Sequence, residues 1–224
     1  MPLDNYLSLR VACDGESSSG KSTAAKLISR KYKLFCVNSG LLFRYASLLI
    51  INHKPKKIIP FLKKNFKNLK YKKVTNLDLH SQMISNHVAI LAKQKKVRQI
   101  IRTFQKKIIK KHHKICCEGR DQASTILRKN PRYDIAFFFK CNLNTASLRR
   151  WRDLKKKIPL KEVKKSLRIR TLLDKKRHHN PLKKMADAVL IRTDILSKKA
   201  MVAKMSKEID KKLILKYGRN FKAR

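Results

Sequence analysis

The run Gly15-Glu-Ser-Ser-Ser-Gly20-Lys-Ser22 puts two glycines, a lysine and a hydroxyl residue at the spacing G-x-x-x-x-G-K-[ST]. Glycines there let backbone N–H groups curl around phosphate oxygens, the lysine spans two phosphates, and the hydroxyl reaches a magnesium ion. The expectation is a nucleotide-phosphate site made by Gly15, Glu16, Ser17, Ser18, Ser19, Gly20, Lys21, Ser22 and Thr23, with Ser22 also on Mg2+. Two more of the five glycines stand in short segments that also look fit for phosphate: Gly40 in Asn38-Ser-Gly40 and Gly119 in Glu118-Gly-Arg-Asp121.

Phosphoryl transfer asks for positive charge to neutralise phosphates and for donor and acceptor held in line, with little covalent help. Arginine suits this because its planar fork grips oxygens in pairs and stays charged at any working pH. The arginines beside loop signals are Arg44, Arg98 and Arg120, with Arg170 and Arg177 on a helix near a basic, mobile-looking segment. Asp121 and Asp174 matter because acids are scarce, 14 in the whole chain. A carboxylate beside arginines orders them or accepts hydrogen bonds from a sugar or an exocyclic amine. As a mere surface salt bridge it would contribute under about 1 kcal/mol. An acceptor that is already a phosphate needs no catalytic base.

These residues need elements that bring them together. Apolar strand candidates recur at Leu9–Cys13, Leu34–Val37, Lys114–Cys117, Asp134–Lys140 and Ala188–Ile191, with helix-like stretches between them. That alternation predicts a parallel sheet covered by helices, whose ligands lie at the carboxyl ends of the strands. A helix over Lys21–Lys31 would present unpaired N–H groups to the phosphates at its start. Lys54–Lys73, with nine lysines and no acid, and Tyr71–Ala89, with no clear period, look like an insertion, the first of them a solvated surface loop. Lys155–Pro159 reads as a lid segment before a helix from Lys161 to His178.

At 224 residues the chain can bury a full core as one domain. Lys+Arg of 58 against Asp+Glu of 14 gives +44, a field that draws in anionic nucleotides. The lysines are spread almost throughout, which favours drift in composition over a selected nucleic-acid groove, so no specific nucleic-acid partner is expected beyond non-specific binding. No stacking array of aromatics stands out. The five cysteines lack zinc spacing and read as reduced core residues. No apolar signal core or membrane-length stretch is seen, so the expectation is a cytoplasmic protein without a membrane partner.

Taken in order, Val11-Ala-Cys-Asp-Gly-Glu-Ser-Ser-Ser-Gly-Lys-Ser-Thr23, Asn38-Ser-Gly-Leu-Leu-Phe-Arg44, Val97-Arg98, Glu118-Gly-Arg-Asp121, Arg170-x-x-x-Asp174-x-x-Arg177 and Asn180-Pro-Leu-Lys-Lys-Met-Ala-Asp-Ala188 closely resemble bacterial cytidylate kinase over nearly the whole chain. The resemblance implies an α/β P-loop nucleoside monophosphate kinase fold: a five-stranded parallel sheet flanked by helices, a monophosphate-binding insertion and a short lid. Within a single kinase domain, 1–224, the core would be 1–53, 97–154 and 179–224, the insertion 54–96 and the lid region 155–178. ATP, with Mg2+, would give its γ-phosphate to CMP or dCMP, and the protein would be a monomer. Ser39, Arg98, Asp121 and Arg177 would meet the base, and Arg44, Arg120 and Arg170 would hold the acceptor phosphate. Asp174 with Arg170 would contact the sugar, Lys157 would come from the lid, and Lys21, Arg120, Arg170 and Lys157 would carry the transfer.

Several positions depart from the family pattern. Glu16 and Ser18 stand where proline and glycine are usual, Asn38 replaces an aspartate, and Phe43, also expected at the substrate, stands for a tyrosine. Ala89 takes the place of a base-contacting serine, and Ala123-Ser124 that of Gly-Thr. These changes keep open a phosphotransferase with another small acceptor. A basic nucleic-acid-associated protein is the alternative from a different class.

Overall fold

The structure, a computed structural model, describes residues 7–218. The expected domain limits at 1 and 224, and most of the N-terminal stretch read as lacking a signal core, lie outside the described residues. Strands β1 (Leu9–Gly15), β2 (Phe35–Asn38), β3 (Lys114–Gly119), β4 (Ile135–Lys140) and β5 (Val189–Arg192) form one parallel sheet in the order β2-β3-β1-β4-β5. The alternation of apolar runs and helical stretches is thus realised as an α/β fold. β1 and β3 are buried nearly throughout because helices cover both faces, which is why they read as continuous apolar runs.

The helices are α1 (Lys21–Lys31), α2 (Ser39–His53), α3 (Ile58–Lys67), α4 (Tyr71–Thr75), α5 (Gln82–Leu91), α6 (Lys95–Lys111), α7 (Leu143–Asp153), α8 (Leu160–Lys176) and α9 (Lys198–Tyr217). On one face of the sheet α1 and α9 close over Cys13, Ile28, Phe137, Phe139 and Met205. On the other, α2 to α6 bury Val37, Leu42, Leu62, Phe66 and Ile101. α7 and α8 meet over a small cluster of their own, Cys141, Ala146, Val163 and Leu167. The five cysteines are free thiols, four of them buried. No helix among the described residues is long and apolar enough to cross a membrane.

The strands extend further toward the site than the sequence predicts. β1 continues through Asp14 and Gly15, and β3 through Glu118 and Gly119, because Asp14 pairs with Gly119 and Phe138, and Gly15 with Phe139. Gly15 is required by that packing: a Cβ there would stand 2.4 Å from the Phe139 carbonyl oxygen.

The larger correction concerns Lys54–Lys73, which is not a solvated loop. α3 buries Leu62 and Phe66, and the Phe66 ring packs edge-on to Tyr45 and Phe104 at 5.9 and 5.7 Å. Ile58, Ile59, Leu62 and Phe66 recur at helical spacing, so the lysines occupy only the outward face. Val74 and Leu79 continue the buried line, and the Tyr71 hydroxyl accepts from the Asn38 amide at 2.7 Å, tying the segment to the end of β2.

Candidate active site

The loop between β1 and α1 turns through Ser18, at φ 54°, and Gly20, at φ 77°. Left-handed backbone strains a serine and suits a glycine, so Ser18 is the strained point of the loop. A Cβ on Gly20 would lie 3.4 Å from Thr193, whose hydroxyl donates to the Ser19 carbonyl at 2.9 Å. Arg149 of α7 grips the same threonine, at 2.9 Å to Oγ1 and 2.6 Å to its carbonyl oxygen. Ser18 to Thr23, Arg149, Arg152 and Thr193 line a cavity of about 480 Å3 at the start of α1.

Lys21 opens α1 and is buried. Its ammonium donates to the Glu16 carbonyl at 3.0 Å and lies 3.4 Å from Glu118 Oε1. Burial lowers its pKa to about 8, with Arg120 adding to the fall against the pull of Glu118. No acid lies in the first turn of α1, so the helix start offers N–H groups and positive charge to an anion. Lys21, Ser17, Ser18, Ser22 and Thr23 also face a crevice of about 900 Å3 that reaches Arg44, Arg120, Arg150 and Arg170. Gly15 and Glu16 do not line these cavities. The Glu16 carboxylate turns to Lys175 of α8 at 2.7 Å.

Beyond the arginines a second, narrower pocket is lined by Ser39, Phe43, Ala89, Arg98, Arg120, Asp121, Arg170, Asp174 and Arg177, brought from α2, α5, α6, the end of β3 and α8. Charges alternate through it. Arg98 Nη2 donates to Asp121 Oδ2 at 2.5 Å, Arg177 Nη2 lies 3.8 Å from Asp121 Oδ1, Arg177 Nη1 lies 3.4 Å from Asp174 Oδ1, and Arg120 Nε donates to Asp174 Oδ2 at 2.8 Å. Burial opposes the charge on Asp174, but Arg120, Arg170 and Arg177 outweigh it and hold the carboxyl below its usual range. Burial lowers Arg170 to about 10, with Arg120 crowding it. Arg98 Nε and Arg177 Nη2 are buried with no hydrogen-bond partner among the described residues, and the Arg98 guanidinium lies 5.4 Å from the Phe43 ring. Buried N–H groups left unmatched in this way are costly unless a ligand accepts from them.

Arg44 donates to the Leu79 carbonyl at 2.8 Å and to Ser85 Oγ at 3.0 Å. Burial lowers it to about 10, with Arg150 next in effect. Arg150 reaches the same hydroxyl from α7 at 3.4 Å. Lys157, by contrast, is exposed and lines none of the cavities. Arg150 of α7, half-buried, lines the crevice, whereas Lys157, in the turn after α7, faces solvent.

The sequence singled out neither Arg149 nor Arg150, which sit mid-helix without a glycine or loop signal. Nor did it give Asp14 a role. Asp14 is buried, and its two oxygens accept from Gln122 N and Ala123 N, each at 2.8 Å.

A family model described as "Cytidylate kinase" matches residues 11–211. Curated relatives with the same name include a protein of Mesomycoplasma hyopneumoniae, strain 7448, 29% identical over 224 residues, which cover 93% of this chain and 96% of the relative. One of Clostridium botulinum, strain Okra, is 29% identical over 219 residues, covering 92% and 99%. Among solved structures, TT1252 from Thermus thermophilus superposes with a TM-score of 0.51 at 15% identity, covering 92% of this chain and 98% of that one. Shikimate kinase from Bacteroides thetaiotaomicron does so with 0.50 at 10% identity, covering 91% and 99%. Each likeness is one of fold alone.

Proposed function

The chain belongs to the cytidylate kinase family and is a nucleoside monophosphate kinase that phosphorylates CMP or dCMP with ATP, and we propose how its residues divide that work. The loop cavity takes the ATP phosphates: Lys21 and the N–H groups at the start of α1 bind them, and Arg149 flanks the donor nucleotide. Ser22, which lines the crevice at the start of α1, would hold Mg2+ through its hydroxyl, with the donor phosphates supplying the negative charge that this part of the chain lacks. The ion would neutralise charge between the donor phosphates. Arg44, Arg120, Arg150 and Arg170 surround the acceptor phosphate and the group in flight, supplying charge that strengthens in the transition state. No side chain takes up a proton.

The narrow pocket reads the base, and the observation that carries this is the pair of unmatched buried N–H groups on Arg98 and Arg177 beside the Asp121 carboxylate. Cytosine offers two acceptors, its ring nitrogen and carbonyl oxygen, to those N–H groups, and an amino group to Asp121. Uracil would turn an oxygen toward Asp121 and an N–H toward an arginine, leaving buried polar groups unmatched. Division into a core, a monophosphate-binding insertion at 54–96 and a lid at 155–178 goes with this reading, as does a cytoplasmic monomer. Nothing in the comparisons favours a different acceptor. The test is turnover with ATP and Mg2+ against CMP, dCMP, UMP, AMP and GMP. A preference for CMP or dCMP is expected, and equal rates across the panel would sink the base-reading role.

A further inference from the structure

We propose that Asp14 is a positioning residue for acceptor selectivity: from the central strand it fixes the turn that follows Asp121, and so holds the Asp121 carboxylate between Arg98 and Arg177. The proposal rests on the narrow pocket being the acceptor-base pocket. Asp121 is the N-terminal flanking residue of a single π-helical turn, Gln122–Ile126, yet its side chain makes no capping bond there. An aspartate in that position ordinarily caps its own helix through the N–H of the second or third helical residue. Here the N–H groups of the first two, Gln122 and Ala123, donate instead to the two oxygens of Asp14, each at 2.8 Å, so the second-residue N–H is already taken. The Asp121 carboxylate is released from capping and faces the pocket, where Arg98 and Arg177 hold it.

Asp14 can do this because β1 is central. Its backbone pairs with Gly119 of β3 and Phe138 of β4, and the residue as a whole is 2% exposed. A substrate cannot reach a carboxylate enclosed in this way, so it acts through Asp121. The charged groups around it are Arg120 and Asp121, at the end of β3, with the thiols of Cys13 and Cys117 on its own and the neighbouring strand. Burial pushes its pKa up to about 7, against the two amide bonds and Arg120, which favour the carboxylate, and with Asp121 adding to the rise. The raised folded value means that ionising Asp14 costs stability as pH climbs from 3.8 toward about 7. Stability alone therefore gives no reason to keep it charged. Protonation puts an O–H against one of the two amides and loosens the clamp.

The test compares kcat/KM for CMP and for UMP, in wild type and Asp14→Asn, one pH unit below and one above the value of about 7. Both acceptors carry the same phosphate, so its ionisation cancels in the CMP/UMP ratio. The wild-type ratio should fall several-fold at the lower pH. Asp14→Asn, which offers one acceptor and one opposing N–H, should show a ratio lower by about tenfold at the higher pH and flat with pH, with KM for ATP within about twofold of wild type. A wild-type ratio that does not change with pH, an unchanged ratio in the variant, or a rise in KM for ATP matching that for CMP would each overturn the positioning role. If Asp14→Asn does not fold, the wild-type pH series decides alone. A wild type with no preference for CMP at either pH would instead remove the base-pocket reading, and this proposal with it.

Discussion

At the scale of residues, the two nucleotide sites differ in which single change each tolerates. Lys21→Ala removes the buried ammonium at the start of α1, which we propose binds the donor phosphates, and should cut kcat by about a hundredfold or more for every acceptor. Arg98→Ala leaves Asp121 without its closest partner and should raise KM for CMP by roughly thirtyfold, about 2 kcal/mol, while lowering the preference over UMP. Steady-state kinetics with CMP and UMP check both, and equal losses for both acceptors in both variants would contradict the division of roles. Lys21, Arg98, Asp121 and Arg177 were legible because each sits in or beside a short motif. Arg149, Arg150 and the clamp made by Asp14 were not, because they act through contacts between distant segments that leave no local pattern.

At the scale of elements, α3 decides between an insertion that merely decorates the core and one that completes it. Phe66 is 3% exposed, packed against Tyr45 and Phe104. Phe66→Ala should cost about 3 to 4 kcal/mol in denaturant unfolding. A loss under about 1 kcal/mol, as expected for a surface loop, would contradict the burial described. The lysine-rich sequence hid this helix because a run of one charge dominates composition, whereas four apolar residues at helical spacing are enough for a buried stripe. α7 makes the reverse point. Its helix was foreseeable, but which of its arginines face the crevice followed only from its packing against α8 over Val163 and Leu167.

At the scale of the whole molecule, a net charge of +44 must be carried on the surface of a single compact fold. Like charges repel, and added salt screens them, so the melting temperature should rise between about 0.05 M and about 0.5 M sodium chloride. A fall over that range would mean that the pairs holding the fold together, Arg120 with Asp174 among them, outweigh the repulsion. By itself the sequence determined the parallel α/β architecture, the phosphate-loop motif and most of the arginines and aspartates that line the narrow pocket, since these are written in runs and motifs of a few residues. Only the tertiary structure decided that Leu62 and Phe66 of the Lys54–Lys73 run pack into the hydrophobic core, that Arg150 lines the crevice, and that Asp14 takes the Gln122 and Ala123 amides beside Asp121. Each of those depends on segments far apart in the chain meeting in one low-dielectric interior, where burial and hydrogen bonding, and not spacing, determine what a side chain does.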